Sequence, residues 1–378
     1  MMIGRRLVRT FSPVRMPGAK GAPRQVWEML HWGARLIVTP NDYRAHGLYL
    51  HGRSEAHALR YLSAPRAKSM MWPLNREHER LENKLVFESH FGSLGLPVPK
   101  TLAVFGPGGQ PSQLPALADV DSQRQFLVQT VLMGTEVAVK PLDAWGGAGV
   151  LIITQVSDGS FLLSNGEKMA IEDVMKHVSV GSWLVQERIV QHQDLAELNP
   201  SSLNTMRLGT FRRQDGRVDI IFAKLRMGRS SAQLDSNSLG GLSVWIDPTS
   251  GAFVRSATQF PKYSLEHFDK HPDSGVCFSG RIYPHWEAVV SLARKFAENA
   301  GDNVFVGWDV ATTQEGPVFV EGNHNWDVQM AQTGSAGMLT DDFVAMFRAE
   351  TGHDIDVSKH PAVRPLSAYR ALRKAQRR

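Results

Sequence analysis

Asp309 and Glu321 lie in two short segments, Val304 to Val310 and Pro317 to Asn323, that alternate with period two and are joined by a link rich in Thr, Gln, Glu and Gly. The pattern predicts an antiparallel hairpin. Val304, Val306, Trp308 and Val310 share one face, leaving Asp309 on the other; on the second strand Val318 and Val320 share a face, with Phe319, Glu321 and Asn323 opposite. A register in which paired residue numbers sum to 630 sets Asp309 directly across from Glu321, with side-chain roots about 5 Å apart. Like charges so placed repel unless a cation sits between them. Two carboxylates and an amide carbonyl are hard oxygen ligands that suit Mg²⁺ or Mn²⁺. The hairpin is too apolar for a freely solvated strand, so Asp309, Glu321 and Asn323 are the candidate metal ligands.

Mg²⁺ rarely fills its octahedron from protein alone and usually shares substrate phosphates, so a phosphate cradle is expected elsewhere. Val137-Ala-Val-Lys140-Pro141, followed by Trp145-Gly146-Gly147-Ala148-Gly149-Val150, has the parts: a strand ending in a point charge and a loop whose N–H groups can approach an anion. The spacing is neither a P-loop nor a dinucleotide fingerprint, and alone it is more readily an ordinary hairpin than a cradle. Ser182-Trp-Leu-Val-Gln186-Glu187 is an apolar strand ending in polar residues, where a base could lie while Gln186 and Glu187 read its edge. A solvated strand end explains it equally well. Arg207, and Lys224 with Arg226, complete the cations; the last two are two apart on one strand and so point the same way, able to clamp one anion.

The elements that must position these residues alternate in type. Residues 24–97 read as mostly helical, with the clearest helix capped by Asn75, carrying Glu77 and Glu79 in its first turn, running through Leu81, Leu85 and Phe91, and stopped by Gly95-Leu-Pro-Val-Pro99. From about 100 to 184 short strands are expected at Thr101–Phe105, Val137–Lys140, Val150–Thr154 and Phe161–Leu163, with helices near 117–132 and at Ile171–His177. Longer strands follow at Arg207–Arg212 and Val218–Met227, and a helix at about His285–Ala300. The fold class is α+β.

At 378 residues, 42% apolar and 21% charged, the chain is in the range of folded proteins with two or three subdomains. No apolar run reaches the roughly 18 residues that cross a bilayer. Net charge is +5, but residues 1–27 and 361–378 carry twelve basic side chains and no acid, and without them the body has 30 basic against 37 acidic residues. Those ends read as solvated tails, and Pro13, Pro17 and Pro23 break up any targeting helix. No aromatic-basic interleaving accompanies them, so no nucleic-acid partner is expected. The single cysteine, Cys277, excludes internal disulfides, fits a reducing, cytoplasmic setting, and is expected to be packed and inert.

Together and in this order these residues resemble the ATP-grasp superfamily, most closely the branch called sugar-transfer-associated ATP-grasp. The likeness runs from about Gln25 to Gln332 and adds Lys84, Asn204-Thr-Met-Arg207, and Asp235 with Gly240-Gly241 to the motifs above. It implies ATP held between two α+β subdomains, a lid at 98–184 and a catalytic part at 185–360, behind the helical 24–97, with basic ends at 1–23 and 361–378. It implies that Lys84 and Lys140 hold ATP phosphates, that Gly146, Gly147 and Gly149 close over them, that Gln186 and Glu187 line the adenine, and that Asp309, Glu321 and Asn323 ligate Mg²⁺. Arg207, Lys224 and Arg226 would neutralise the transferring phosphoryl group.

Such enzymes join a small-molecule carboxylate to an amine through an acyl-phosphate and are often dimers; the branch name points to polysaccharide or specialised-metabolite assembly. A kinase-like phosphotransfer on the same scaffold is the alternative, and a non-catalytic nucleotide-binding adaptor a third, which the full set of Lys140, Asp309, Glu321 and Asn323 argues against. Many ATP-grasp ligases carry an arginine just before the metal-binding Asp, where this chain has Gly307 and Trp308, so Ser230 to Gly241, with Asp235 and Asn237, is the candidate grip on the acceptor carboxylate. His192 and His324 flank the hinge and the metal motif, with a structural role expected for His192.

Overall fold

The computed structural model describes residues 11–106, 114–142, 149–230, 235, 239–254 and 256–355. Helices come first: α1 (Ala22–Leu36), α2 (Pro40–Ala45), α3 (Glu55–Ala58), α4 (Ala64–Leu74), α5 (His78–Glu82) and α6 (Lys84–Ser93). Next is a seven-stranded sheet in the order β2-β1-β7-β3-β4-β5-β6, built from β1 (Thr101–Phe105), β2 (Ala116–Leu117), β3 (Val137–Pro141), β4 (Leu151–Ser157), β5 (Ser160–Leu163), β6 (Lys168–Ala170) and β7 (Trp183–Glu187). Only the β1–β2 pair is parallel. Helices α7 (Val120–Leu132) and α8 (Ile171–Val178) bury Leu127, Val131, Val174 and Val178 against this sheet with Val137, Val139 and Val185. Strand β7 returns between β1 and β3, so Trp183–Glu187 lies within this sheet rather than at its edge.

The second sheet is fully antiparallel, in the order β10-β9-β8-β11-β12: β8 (Met206–Arg212), β9 (Val218–Met227), β10 (Leu242–Ile246), β11 (Phe305–Thr312) and β12 (Pro317–Asn323). Alternation gives it two unlike faces. One carries Met206, Leu208, Leu225, Val244, Val306, Trp308 and Val310 and is covered by α10 (Trp286–Glu298). The other is apolar at one end, where Phe211, Phe222 and Phe305 meet Trp326 and the helices α4, α11 (Val328–Gln332) and α12 (Asp341–Thr351), and ionic at the other.

The hairpin register is the expected one at its functional end: Gly307 faces Asn323, Trp308 faces Gly322 and Asp309 faces Glu321. Beyond Asp309 it slips, so that Val310 faces Phe319. This bulge at Val320 corrects the expectation that Phe319 and Glu321 share a face. Phe319 is instead fully buried, stacked on Phe296 at 4.1 Å, while Glu321 stays across from Asp309.

Three other expectations need correction. Asn75 does not cap a helix start: it ends α4, and its side chain clamps the hairpin, donating to the carbonyls of Phe305 (2.8 Å) and His324 (2.6 Å) and accepting from Val304 N and Phe305 N. The cap of the following long helix is Asn83, whose Oδ1 accepts from Leu85 N and Val86 N. Residues 11–23 are no solvated tail, since Phe11, Val14 and Ala19 pack against α1 and Lys20 is buried, paired with Glu28 at 2.7 Å and bonded to Leu48 O at 2.7 Å. Cys277 is exposed rather than packed, because the short Lys270–Cys277 bridge turns Phe278 into the core. The basic segment 361–378 lies outside the described residues.

Candidate active site

Directly paired residues on antiparallel strands project to the same side, so the registers place Trp245, Lys224, Arg207, Asp309 and Glu321 in one row across all five strands of the second sheet. The row is ionic at its centre. The Arg207 guanidinium grips Asp309 at both oxygens, through Nε to Oδ1 and Nη2 to Oδ2 at 3.1 Å, with both side chains buried. Arg226, one pleat along, adds a third bond to Asp309 Oδ2 at 2.8 Å, donates to Thr205 Oγ1 and lies 3.6 Å from Asp235. Burial alone would raise the Asp309 carboxyl, but Arg207 and Arg226 outweigh it and hold it below the usual carboxylate range.

Glu321 is in the reverse situation. Its side chain makes no hydrogen bond or ion pair among the described residues, and burial followed by the facing Asp309 raises its carboxyl against the pull of Arg207, Lys84 and Lys140. Asn323, two residues on, donates through Nδ2 to Gly307 O at 3.3 Å, which leaves its carbonyl oxygen available. A carboxylate without a donor, a second facing it and an amide oxygen beside it fit a hard divalent cation.

The two sheets meet at Glu321. Phe87 and Phe91, one turn apart on α6, pack against Trp308 and Phe296 and so anchor the helix on the second sheet. At the start of that helix Lys84 donates to Leu142 O at 3.1 Å, just past the end of β3. Lys140 stands in the same neighbourhood: burial first and then the Lys84 ammonium push it down to about 8, against the attraction of Glu321 and Glu88. Glu88 ties α6 to the first sheet by accepting from Thr101 N at 2.7 Å and from Thr101 Oγ1. Sequence reasoning missed Glu88, although its place one helical turn after Lys84 was the available signal.

The remaining expected site residues are placed as follows. Gln186 is buried and its amide donates to Thr101 Oγ1 (2.9 Å) and Glu88 (3.3 Å), bracing β7 against α6. Glu187 is exposed and paired with Lys100 at 3.1 Å. Gly149 adopts φ +80°, a conformation that favours glycine, while Gly146, Gly147 and Asn237 lie outside the described residues. Lys224 and Arg226 do not clamp one anion: the fully buried Lys224 ammonium donates to the carbonyls of Met330 (2.9 Å) and Thr333 (2.6 Å), and burial lowers it to about 7. Asp235 receives Thr205 N at 2.8 Å and lies 3.6 Å from Arg226, which ties this residue to the row. His192 accepts from Asp194 N at 3.1 Å at the start of α9 (Gln193–Ala196), and His324 bonds Glu82.

Gly307 stands where an arginine was missed, and packing explains its size. A Cβ there would come within 2.6 Å of the Trp326 Cβ, while Trp308 points to the other face and donates to Thr210 Oγ1 at 2.8 Å. Gly307→Ala is therefore expected to destabilise by about 1–3 kcal/mol, read as an earlier urea midpoint. An unchanged midpoint would mean that Trp326 has room to move.

The family described as sugar-transfer associated ATP-grasp matches residues 70–342. No curated protein matches the chain. Among solved structures, D-alanyl-alanine synthetase A from Vibrio cholerae O1 biovar eltor is 13% identical over 73% of this chain and 62% of its own, with TM-score 0.38. The ATP-grasp ligase PsnB, complexed with a phosphomimetic variant of its minimal precursor, Mg and ADP, is 13% identical over 76% of this chain and 61% of its own, with TM-score 0.38. Biotin carboxylase from Campylobacter jejuni is 12% identical over 73% of this chain and 47% of its own, with TM-score 0.42. This chain thus spans less than two thirds of the length of each of these relatives. With the family match extending over most of its length, the chain belongs to the sugar-transfer associated ATP-grasp family.

Proposed function

We propose that the chain is an ATP- and Mg²⁺-dependent ligase that activates a small-molecule carboxylate as an acyl-phosphate and couples it to an amine. The observation that carries this reading is the meeting of Lys84 and Lys140 with the unpartnered Glu321 where the two sheets join, beside an aspartate held by two arginines. Mg²⁺ held by Glu321, Asn323 and Asp309 would supply Lewis-acid charge at phosphate oxygens. Lys140 and Lys84 receive the nucleotide phosphates as point charges. Arg207 and Arg226, which rest on Asp309, would neutralise the transferring phosphoryl group by exchanging that carboxylate for phosphoryl oxygens. Lys224 sits behind Arg207 and holds the 330–333 turn in place. The reaction asks no side chain to form a covalent bond, only to orient, neutralise charge and exclude water. Surface-polysaccharide or specialised-metabolite assembly is the setting that the family description suggests, in a reducing cytoplasm, with a homodimer as the expected assembly.

Phosphate release from ATP that requires both a carboxylate and an amine is the expected result in a substrate screen. Release with a hydroxyl acceptor alone, leaving a phosphorylated product, would replace the ligase by a phosphotransferase. Lys140→Met is expected to weaken MgADP binding by about 1.5–3 kcal/mol, roughly 10- to 150-fold. Because Lys140 titrates near 8 in the free protein and a bound phosphate raises it, wild-type binding above that pH takes up a proton and weakens as pH rises. Calorimetry in buffers of different ionisation enthalpy reads that uptake. Its persistence in Lys140→Met would assign it elsewhere.

A further inference from the structure

A cavity of about 150 Å³ opens beyond Lys224 at the other end of the ionic row. Its walls come from the helical region through Arg44, His46, Arg53 and Tyr61, and from the second sheet's surroundings through Thr258 and Ser335. It shares a wall with the row. Thr333, another lining residue, accepts through its carbonyl from Lys224 Nζ at 2.6 Å and Trp245 Nε1 at 3.2 Å, and Thr258 bridges to Ser243 on β10. Two strand spacings, about 10 Å, separate Lys224 from Asp309 along the sheet.

His46 is the group in this wall that the fold leaves unsatisfied. It is 5% exposed and stacked on Tyr61 at 4.1 Å, and neither Nδ1 nor Nε2 has a hydrogen-bond partner. Burial, and then the Lys224 charge, lower it to about 3, so the ring is neutral and offers one donor and one acceptor. Buried polar groups of this kind are normally paired, and the adjoining cavity is the route by which a partner can reach them after a small rotation of the ring or of a half-buried neighbour. The surroundings select the partner's charge. Arg44, Arg53 and Lys224 stand against the single exposed lining acid, Glu266. Arg44 already donates to Pro40 O and Ser12 O, whereas Arg53 makes no ion pair among the described residues.

We propose that this cavity is a binding subsite for a small oxyanion, a carboxylate or phosphomonoester of roughly six to ten heavy atoms, with its charge against Arg53 and an adjacent hydroxyl or carbonyl paired with His46. Under the ligase reading, on which only its role rests, the subsite recognises the end of a substrate that lies beyond Lys224, more than about 10 Å from Asp309. Binding itself needs no turnover.

Calorimetry on the full chain with glycolate, D-glycerate, tartrate and glycerol 3-phosphate, and with glycerol as the uncharged control, tests the assignment. At least one acid should bind at least about tenfold more tightly than glycerol, and Arg53→Gln and His46→Leu should each weaken it about tenfold or more. A response confined to the carboxylates or to the phosphate ester identifies the source. MgADP affinity should stay within about twofold in both variants, since neither residue belongs to the nucleotide site; if wild type fails to bind MgADP, the nucleotide reading falls and the subsite is still judged on the acids. Arg53 is half-buried, so Arg53→Gln remains informative if His46→Leu does not fold. The proposal is overturned if no acid exceeds glycerol, or if Arg53→Gln binds the acids as wild type does.

Discussion

Glu321→Gln turns over ATP at least about 10²-fold more slowly while its fold becomes slightly more stable than wild type. The two changes have opposite signs because the same carboxylate is costly to the empty fold and needed for the chemistry. In the folded chain Glu321 faces Asp309 without a donor, and like charges directly opposite across strands cost roughly 0.2–1 kcal/mol. The amide removes that repulsion and also removes the strongest free ligand for a divalent ion. A pH signature accompanies it. A carboxyl raised by folding contributes stability that is full below its unfolded pKa and is lost as pH climbs through the raised value, so wild type should show this loss above about pH 4.3 and Glu321→Gln should not. Thermal unfolding across pH, paired with phosphate release, checks both halves. A variant that is less stable and fully active would remove Glu321 from the metal site.

Asp309→Asn has the opposite effect on the fold and loses about 3–5 kcal/mol of stability. Asp309 is the common acceptor of Arg207 and Arg226, three hydrogen bonds in a buried setting, and the amide would leave two guanidinium groups short of a counter-charge. Urea unfolding followed by tryptophan fluorescence is the natural readout, since Trp308 and Trp326 pack on the two faces of this sheet. Adding Arg226→Met should restore part of the loss, because the second change removes one of the stranded charges. Equal stability of wild type and Asp309→Asn would mean that the arginines find other partners, and the row would no longer be the structural centre of the sheet.

Sequence pattern was most informative where local alternation and local charge decide the outcome. The hairpin and the facing of Asp309 and Glu321 follow from period-two patterning within about twenty residues, and the apolar run Val218–Met227 gave the bounds of β9. Asn75 shows the limit of that reasoning. Its spacing from Glu77 and Glu79 looks like a helix cap, yet it serves a strand more than 200 residues away, and nothing local encodes that partner. Lys224 and Arg226 share a strand face as alternation demands, but the 330–333 turn captures one and Asp309 the other, a division set by tertiary neighbours. The packing of residues 11–23 was hidden because their charge suggested a tail, while their few apolar side chains and the Lys20–Glu28 pair hold them down. His46 had no signal at all, as a lone histidine between Ala45 and Gly47 acquires meaning only from the cavity beside it.

The extra residue at Val320 bears on how this hairpin could be copied. A designer grafting Gly307–Asp309 and Glu321–Asn323 onto a regular two-stranded scaffold would find that strict alternation sends the position two before the glutamate out beside it, whereas here that position is Phe319, seated among Phe296 and Trp308. The graft would carry the acids and forfeit the aromatic anchor that holds them still. Deleting Val320 from the natural chain should have the converse consequence: Phe319 and Glu321 become neighbours facing opposite ways in a regular ladder, each still across from Val310 and Asp309, so ring and carboxylate keep their places and the transferable unit is β12 with its irregularity or β12 without the residue that makes it.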